Sequence, residues 1–243
     1  MMSSKISARA LAPTGKLRAS INLGNPVLAK QDAPDEAPYG VSVDIARALA
    51  DSLGVDIEYV VSPSARQSVD AVTHDKADVG FFAIDPQRGA SIAFTESYLH
   101  IEGWYAVRDA SPIITIDDVD KPGVRVAVGR GSAYDLFLSR ELEFAEIHRA
   151  PSPQAVMPLF VEQALDVVAN VKQQLEVDMQ NHPGLRLLPE RFMVIRQAMG
   201  VARSRGEDAH AYLASFIEEL KAGNFIEKAL ACHRIDGASL VPA

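Results

Sequence analysis

The chain reads as an α/β protein made of two successive sets of strand–helix units. Three observations predict this. Short apolar strands alternate with amphipathic helices through the first part of the chain, which implies a mainly parallel sheet. A turn-rich stretch punctuated by Pro112 and Pro122 then intervenes, and a second alternating set follows it. The length, 243 residues, suits one large domain or two lobes that each bury a core.

The elements follow in order. Residues 1–15 read as a loose N-terminal extension. Met1 to Arg9 is polar and basic with no apolar h-region after it, so no secretory signal peptide is read. No run of about 18 apolar residues suggests a membrane span. Taken as complete, such a chain is expected in the cytoplasm. Leu17 to Leu23 alternates weakly, as a strand does. Val41 to Leu53 carries apolar residues at helical spacing, and Gly54 stops the helix. Asp56 to Val61 is a strand, and Ser62-Pro63 starts a helix reaching about Lys76. Val79 to Phe82 is the next strand, and Gly103 to Val107 another.

In the second set, Val124 to Val128 is a strand, Gly129-Arg130-Gly131-Ser132 a turn, and Ala133 to Leu142 a helix. Ser152-Pro153 starts a helix to about Ala164. Asp166 to Ala169 is a strand, Val171 to Met179 a helix, and Phe192 to Gln197 a strand. Glu207 to Lys221 and Phe225 to His233 close the chain as helices. The two sets join near 108 and 196, which predicts two lobes with a cleft between them. Lobe 1 is discontinuous (16–107 plus 198–243), and lobe 2 spans 108–197.

Three places carry candidate binding chemistry. The first is Arg88. The strand ending at Phe82 gives way to Asp85-Pro86, an N-cap followed by a residue suited to the first helical position. Arg88 then falls in the first turn of a helix, where a cation gains most if an anion lies between it and the helix-start N–H groups. Its planar fork suits a carboxylate. A surface ion pair with Asp85 is the plainer reading. The second is Gly131-Ser132-Ala133, where Ser132 can cap the helix and Asp135 stands three residues on. Tyr134 in place of a third glycine excludes a dinucleotide fingerprint, and the Gly-Lys-Ser/Thr ending of a P-loop is missing. The third is Asn170, at a strand-to-helix handover, as a ligand-facing group or as a cap for the next helix.

Other classes are disfavoured. Net charge is −8 with no basic stripe, which argues against nucleic acid. The six histidines show no metal-ligand spacing, no Gly-x-Ser-x-Gly elbow occurs, and Cys232 is a lone thiol on a late helix. No cofactor is implied. Trp104 and Tyr98 flank the expected cleft but read first as core residues.

Three segments in order give a resemblance. Pro38-Tyr39-Gly40-Val41-Ser42-Val43-Asp44-Ile45-Ala46, Asp78 through Tyr98, and Val126 through Tyr134 resemble successive segments of the family 3 extracellular solute-binding proteins. These are the amino-acid receptors of ABC transporters, and the likeness covers about residues 16–235. It implies two Rossmann-like lobes joined by a two-stranded hinge, the type II periplasmic binding fold, with linkers near 107–112 and 194–199 absorbing closure. It implies a monomer working with ABC transporter membrane subunits, a periplasmic location, and no enzymatic role. By position, Arg88 would clamp a ligand carboxylate. Gly131, Ser132 and Ala133 would bind the same group from the other lobe, and Phe82, Ala83 and Asp85 would supply a backbone stretch. Asn170 would stand where an Asp commonly meets the ligand's α-ammonium.

The chain departs from that pattern. Asn170 is neutral, which favours an amine-free carboxylate unless Asp85, Glu96 or Asp135 meets the cation. Ala83 stands where a hydroxyl is common. Asn25-Pro26-Val27-Leu28 offers no aromatic sandwich, a role left to Tyr39. Two other readings stay open: a cytosolic sensor or scavenger, and an enzyme like cyclohexadienyl dehydratase on the same fold.

Overall fold

The structure is a computed structural model that describes residues 10–242. The chain divides into two compact units. One takes the described residues up to His100 and from Arg196 onward, and the other is Ile101–Ile195. Most of the expected loose extension lies outside the described residues. Within 10–15, Leu11 and Ala12 are buried, and the Arg205 guanidinium donates to the Ala10 carbonyl at 3.4 Å.

In the first unit, β1 (Lys16–Asn22) lies between β2 (Asp56–Ser62) and β3 (Val79–Ala83), parallel to both. Helix α1 (Val41–Leu53) crosses from β1 to β2. Its periodic apolar face, Ile45, Ala46, Leu49, Ala50 and Leu53, is buried, and Gly54 ends it at φ 68°. Helix α2 (Ala65–Thr73) begins later than Ser62-Pro63 suggested. Ser62 is the last residue of β2, and the cap is Ser64, whose hydroxyl accepts from Gln67 N–H at 3.4 Å. A short strand β4 (Ile92–Phe94) and the C-terminal part of β9 (Leu185–Ala202) complete the sheet, β9 antiparallel to β3 and β4. Helices α7 (Glu207–Ala222) and α8 (Phe225–Cys232) close the unit.

The paired glycines Gly80 and Gly200 have a defined job. A Cβ on Gly80 would sit 2.2 Å from the tip of the Phe82 ring, and one on Gly200 would sit 2.5 Å from an Ile92 methyl. The two together leave the slot that the Phe82 ring fills.

In the second unit, β5 (Leu99–Arg108), β6 (Arg125–Gly129), β7 (Glu146–Ala150) and β8 (Val167–Val171) form the sheet. Strand β6 is parallel to β7 and β8, and β5 is antiparallel to β8. Alternation sends Val126, Val128, Val167 and Ala169 to one face, with Leu138 of α4 (Ala133–Glu141). It sends Ala127 and Val168 to the other, with Val156, Met157 and Phe160 of α5 (Val156–Glu162) and Leu175 of α6 (Lys172–Asn181). Both faces are covered, as a parallel sheet requires. The helix foreseen from Ser152-Pro153 opens as a 3-10 turn over Pro153–Ala155 before α5 begins.

Each unit fastens its sheet with the same device. Asp78, just before β3, accepts from Arg18 N–H and Nε of β1 at 2.8 and 3.1 Å. Asp166, just before β8, accepts from Arg125 N–H and Nε of β6 at 2.9 and 3.0 Å. Asp78 also receives Nη2 of Arg205 at 2.7 Å, and its side chain has no exposed surface.

Candidate functional site

Arg88 is placed by its local sequence. Asp85 Oδ1 accepts from the N–H groups of Gln87 (2.9 Å) and Arg88 (3.3 Å), and Pro86 occupies the first helical turn. The resulting helix α3 (Pro86–Gly89) is a single turn, so Arg88 stands at its start and its end together. The side chain folds back, and Nη1 donates to the Ala83 carbonyl at 3.2 Å. Arg88 is 6% exposed, so it is not a surface residue, although the charge of Asp85 still acts on it. Burial pulls its pKa down from 12.5 to about 10, against the opposing charge of Asp85. A guanidinium held at such cost is suited to receive an anion with two oxygens.

Phe82 and Ala83 lie at the end of β3. They pair with Ala198 and Gln197 of β9, and Ile84 N–H donates to Arg196 O at 2.8 Å. Phe82 contributes its ring to the core beside Phe94, and Ala83 contributes the carbonyl that seats Arg88. Tyr39, 39% exposed, pairs with Lys30 through a β-bridge. Its hydroxyl donates to Asp32 at 2.9 Å, and its ring centroid is 6.4 Å from that of His233.

The second unit carries the other candidates. Gly131 adopts φ 69°, the left-handed conformation that turns β6 into α4. Ser132 is the N-cap, its hydroxyl accepting from Asp135 N–H at 3.0 Å, and Ala133 opens the helix. The Asp135 carboxylate accepts from Gly131 N–H at 2.7 Å and from Arg149 Nε at 2.8 Å. It therefore holds the turn in shape, which removes it as a free partner for a ligand cation. Among the other two substitutes, Asp85 caps α3 and Glu96 is exposed.

Asn170 is the penultimate residue of β8 and is 3% exposed. The N-cap of α6 is Val171, so Asn170 is not the cap. Its Oδ1 accepts from Val171 N–H at 2.9 Å, and its Nδ2 meets no hydrogen-bond partner among the described residues. Strands β6 and β8 run parallel, so Asn170 and the Gly131–Ser132 turn lie at the same carboxyl-end edge of one sheet. That edge is where open α/β sheets bind ligands.

Trp104 lies opposite Asn170 in register on β5. Its indole N–H donates to Glu102 at 2.8 Å, and Lys172 Nζ stands 4.6 Å from its ring centroid. Burial would raise the Glu102 pKa, but hydrogen bonds from Trp104 and Arg191 bring it below the ordinary carboxylate value. Sequence reasoning missed Glu102, because only the register of β5 on β8 brings it near this strand end, and passed over Lys172, whose place on the Trp104 ring is a tertiary contact. Among the described residues no cluster of three His, Cys, Asp or Glu could hold a metal ion, and no helix is long and apolar enough to cross a membrane.

Comparison with known proteins adds to this geometry. The profile of the bacterial extracellular solute-binding proteins, family 3, matches residues 21–231. No curated protein matches the chain. Among solved structures, the solute receptor for L-cysteine of Neisseria gonorrhoeae superposes with a TM-score of 0.78 at 18% identity, covering 93% of this chain and 92% of that one. The P235GK mutant of ArgBP from T. maritima gives 0.76 at 19% identity, covering 93% and 98%. The ancestral amino acid-binding protein AncCDT-1, a precursor of cyclohexadienyl dehydratase, gives 0.76 at 18% identity, covering 93% and 98%. At such identities these likenesses bear on the fold, which is the two-lobe α/β fold the resemblance implied.

Proposed function

The chain belongs to the bacterial extracellular solute-binding proteins, family 3, and from that premise we propose that it binds a small carboxylate-bearing solute, an amino acid or an amine-free acid. The observation that carries this is Arg88, 6% exposed at a one-turn helix, its backbone N–H donating to Asp85 and its guanidinium to the Ala83 carbonyl. Arg88 supplies a fork for the carboxylate. In the turn of the second unit the Gly131 and Ser132 N–H groups already donate to Asp135 and Gly129, so the contribution assigned there falls to the start of α4 at Ala133. The chain passes between the two units within β5 and within β9. Rotation about those crossings is the motion this reading assigns to solute binding, driven by the extra affinity of the solute for one of the two states. Delivery to ABC transporter membrane subunits, outside the cytoplasm and as a monomer, is the role this reading assigns.

A second reading, an enzyme of the cyclohexadienyl dehydratase kind, rests on the shared fold alone, since AncCDT-1 is itself an amino acid-binding protein. It needs a general acid at the site, and Asn170 cannot serve as one. Turnover of prephenate or arogenate by the purified protein would reverse the order of the two readings.

The test is a thermal-shift screen of amino acids, their keto and hydroxy counterparts and simple carboxylates. A solute at 100 times its dissociation constant adds about 2.7 kcal/mol. A hit whose shift disappears in Arg88→Ala supports the proposal, and a hit unaffected by Arg88→Ala contradicts the clamp.

A further inference from the structure

Asn170 sits at the carboxyl-end edge of the second unit's sheet, and its chemistry is one-sided. Its side-chain carbonyl already accepts from Val171 N–H at 2.9 Å. Its amide nitrogen, buried with the rest of the residue, meets no hydrogen-bond partner among the described residues. A buried amide N–H left unmet is unfavourable, and most such groups in folded proteins have a partner. The residue therefore offers donors at the carboxyl end of β8, on the same sheet edge as the Gly131–Ser132 turn.

The charges nearby point the same way. Lys172, two residues on, holds its ammonium 4.6 Å from the Trp104 ring opposite Asn170. Two carboxylates lie in that cluster, and both are engaged: Glu102 by Trp104 Nε1 at 2.8 Å and Arg191 Nη1 at 2.6 Å, and Glu176 by Lys172 Nζ at 4.0 Å. A ligand ammonium brought to Asn170 would place donor against donor beside a second cation. The carbonyl keeps one further lone pair, but using it would still leave the amide N–H groups unmet. A ligand oxygen would satisfy them directly.

We propose that the solute presents an acceptor oxygen, not an ammonium, to Asn170, so that the ligand class is amine-free carboxylic acids of the α-keto type. This rests on the solute-binding reading above and narrows it.

Calorimetric titration of the full chain with matched pairs tests it: alanine and pyruvate, leucine and α-ketoisocaproate, glutamate and α-ketoglutarate. The expected result is that the keto member of one pair binds at least about tenfold more tightly than its amine. Asn170→Asp, nearly isosteric, should then weaken that keto acid by tenfold or more. Asn170→Ala, which removes the donor without adding charge, should weaken it less than Asn170→Asp does. Tighter binding of an amino acid, tightened further by Asn170→Asp, would overturn the inference while sustaining the solute-binding reading. Binding by no member of any pair would defeat both.

Discussion

Replacing Arg88 with Met should make the ligand-free protein more stable while removing its affinity for solute. Met keeps much of the volume of the Arg stem and carries no charge. Burial lowers the Arg88 pKa from 12.5 to about 10, and at about 1.4 kcal/mol per tenfold that corresponds to about 3 kcal/mol set against the charged form. The substitution also forfeits hydrogen bonds such as the one to the Ala83 carbonyl at 3.2 Å, each worth about 1 kcal/mol. The balance is a net gain on the order of 1–2 kcal/mol, or roughly 2–8 °C in melting temperature for a chain of this size. Scanning calorimetry without ligand measures the stability, and titration with the screening hit measures affinity. The combination of gained stability and lost binding marks a residue kept for function at a cost to the fold. An Arg88→Met protein that melts several degrees lower would refute the energetic reasoning, and one that keeps full affinity would refute the clamp.

Other consequences follow from the same contacts. Asp78→Ala should cost about 3–5 kcal/mol in urea unfolding, because Arg18 and Arg205 lose their fully buried carboxylate partner and keep only that of the exposed Asp75; a loss under 1 kcal/mol would show the clasp to be incidental. Gly80→Ala should destabilise by about 1–3 kcal/mol, since its methyl would lie 2.2 Å from the Phe82 ring, and Phe82→Leu in the same chain should recover part of that. Glu102, Asp118, Asp120 and Asp166 all have pKa values below the ordinary carboxylate range through hydrogen bonds and neighbouring cations. Their contribution is complete above about pH 5 and drains as pH falls through their folded values. Trp104, the sole tryptophan, should therefore report second-unit unfolding at lower urea at pH 3 than at pH 7, and an unchanged midpoint would count against these pairs.

Legibility in the sequence varied by element for physical reasons. Helix α1 was readable to the residue, because a buried stripe at helical spacing ends at a glycine that adopts the left-handed conformation. Strand β7 was not, because Glu146, His148 and Arg149 give a strand at the end of the sheet no apolar alternation to read. Strand β9 runs for 18 residues through Pro189, and only its apolar stretch around Phe192 to Gln197 resembled a strand. At the candidate site, Asp85-Pro86 announced a helix start and so located Arg88. Its burial depends on packing that no local pattern encodes. Asn170 was visible as a polar residue at a strand end, but the fate of its two amide atoms is a property of tertiary neighbours.

The most direct test of the central claim is a crystal structure of the protein with the solute found by the thermal-shift screen. The account predicts the solute's carboxylate paired with the Arg88 guanidinium. A solute seated with its carboxylate away from Arg88 would contradict it.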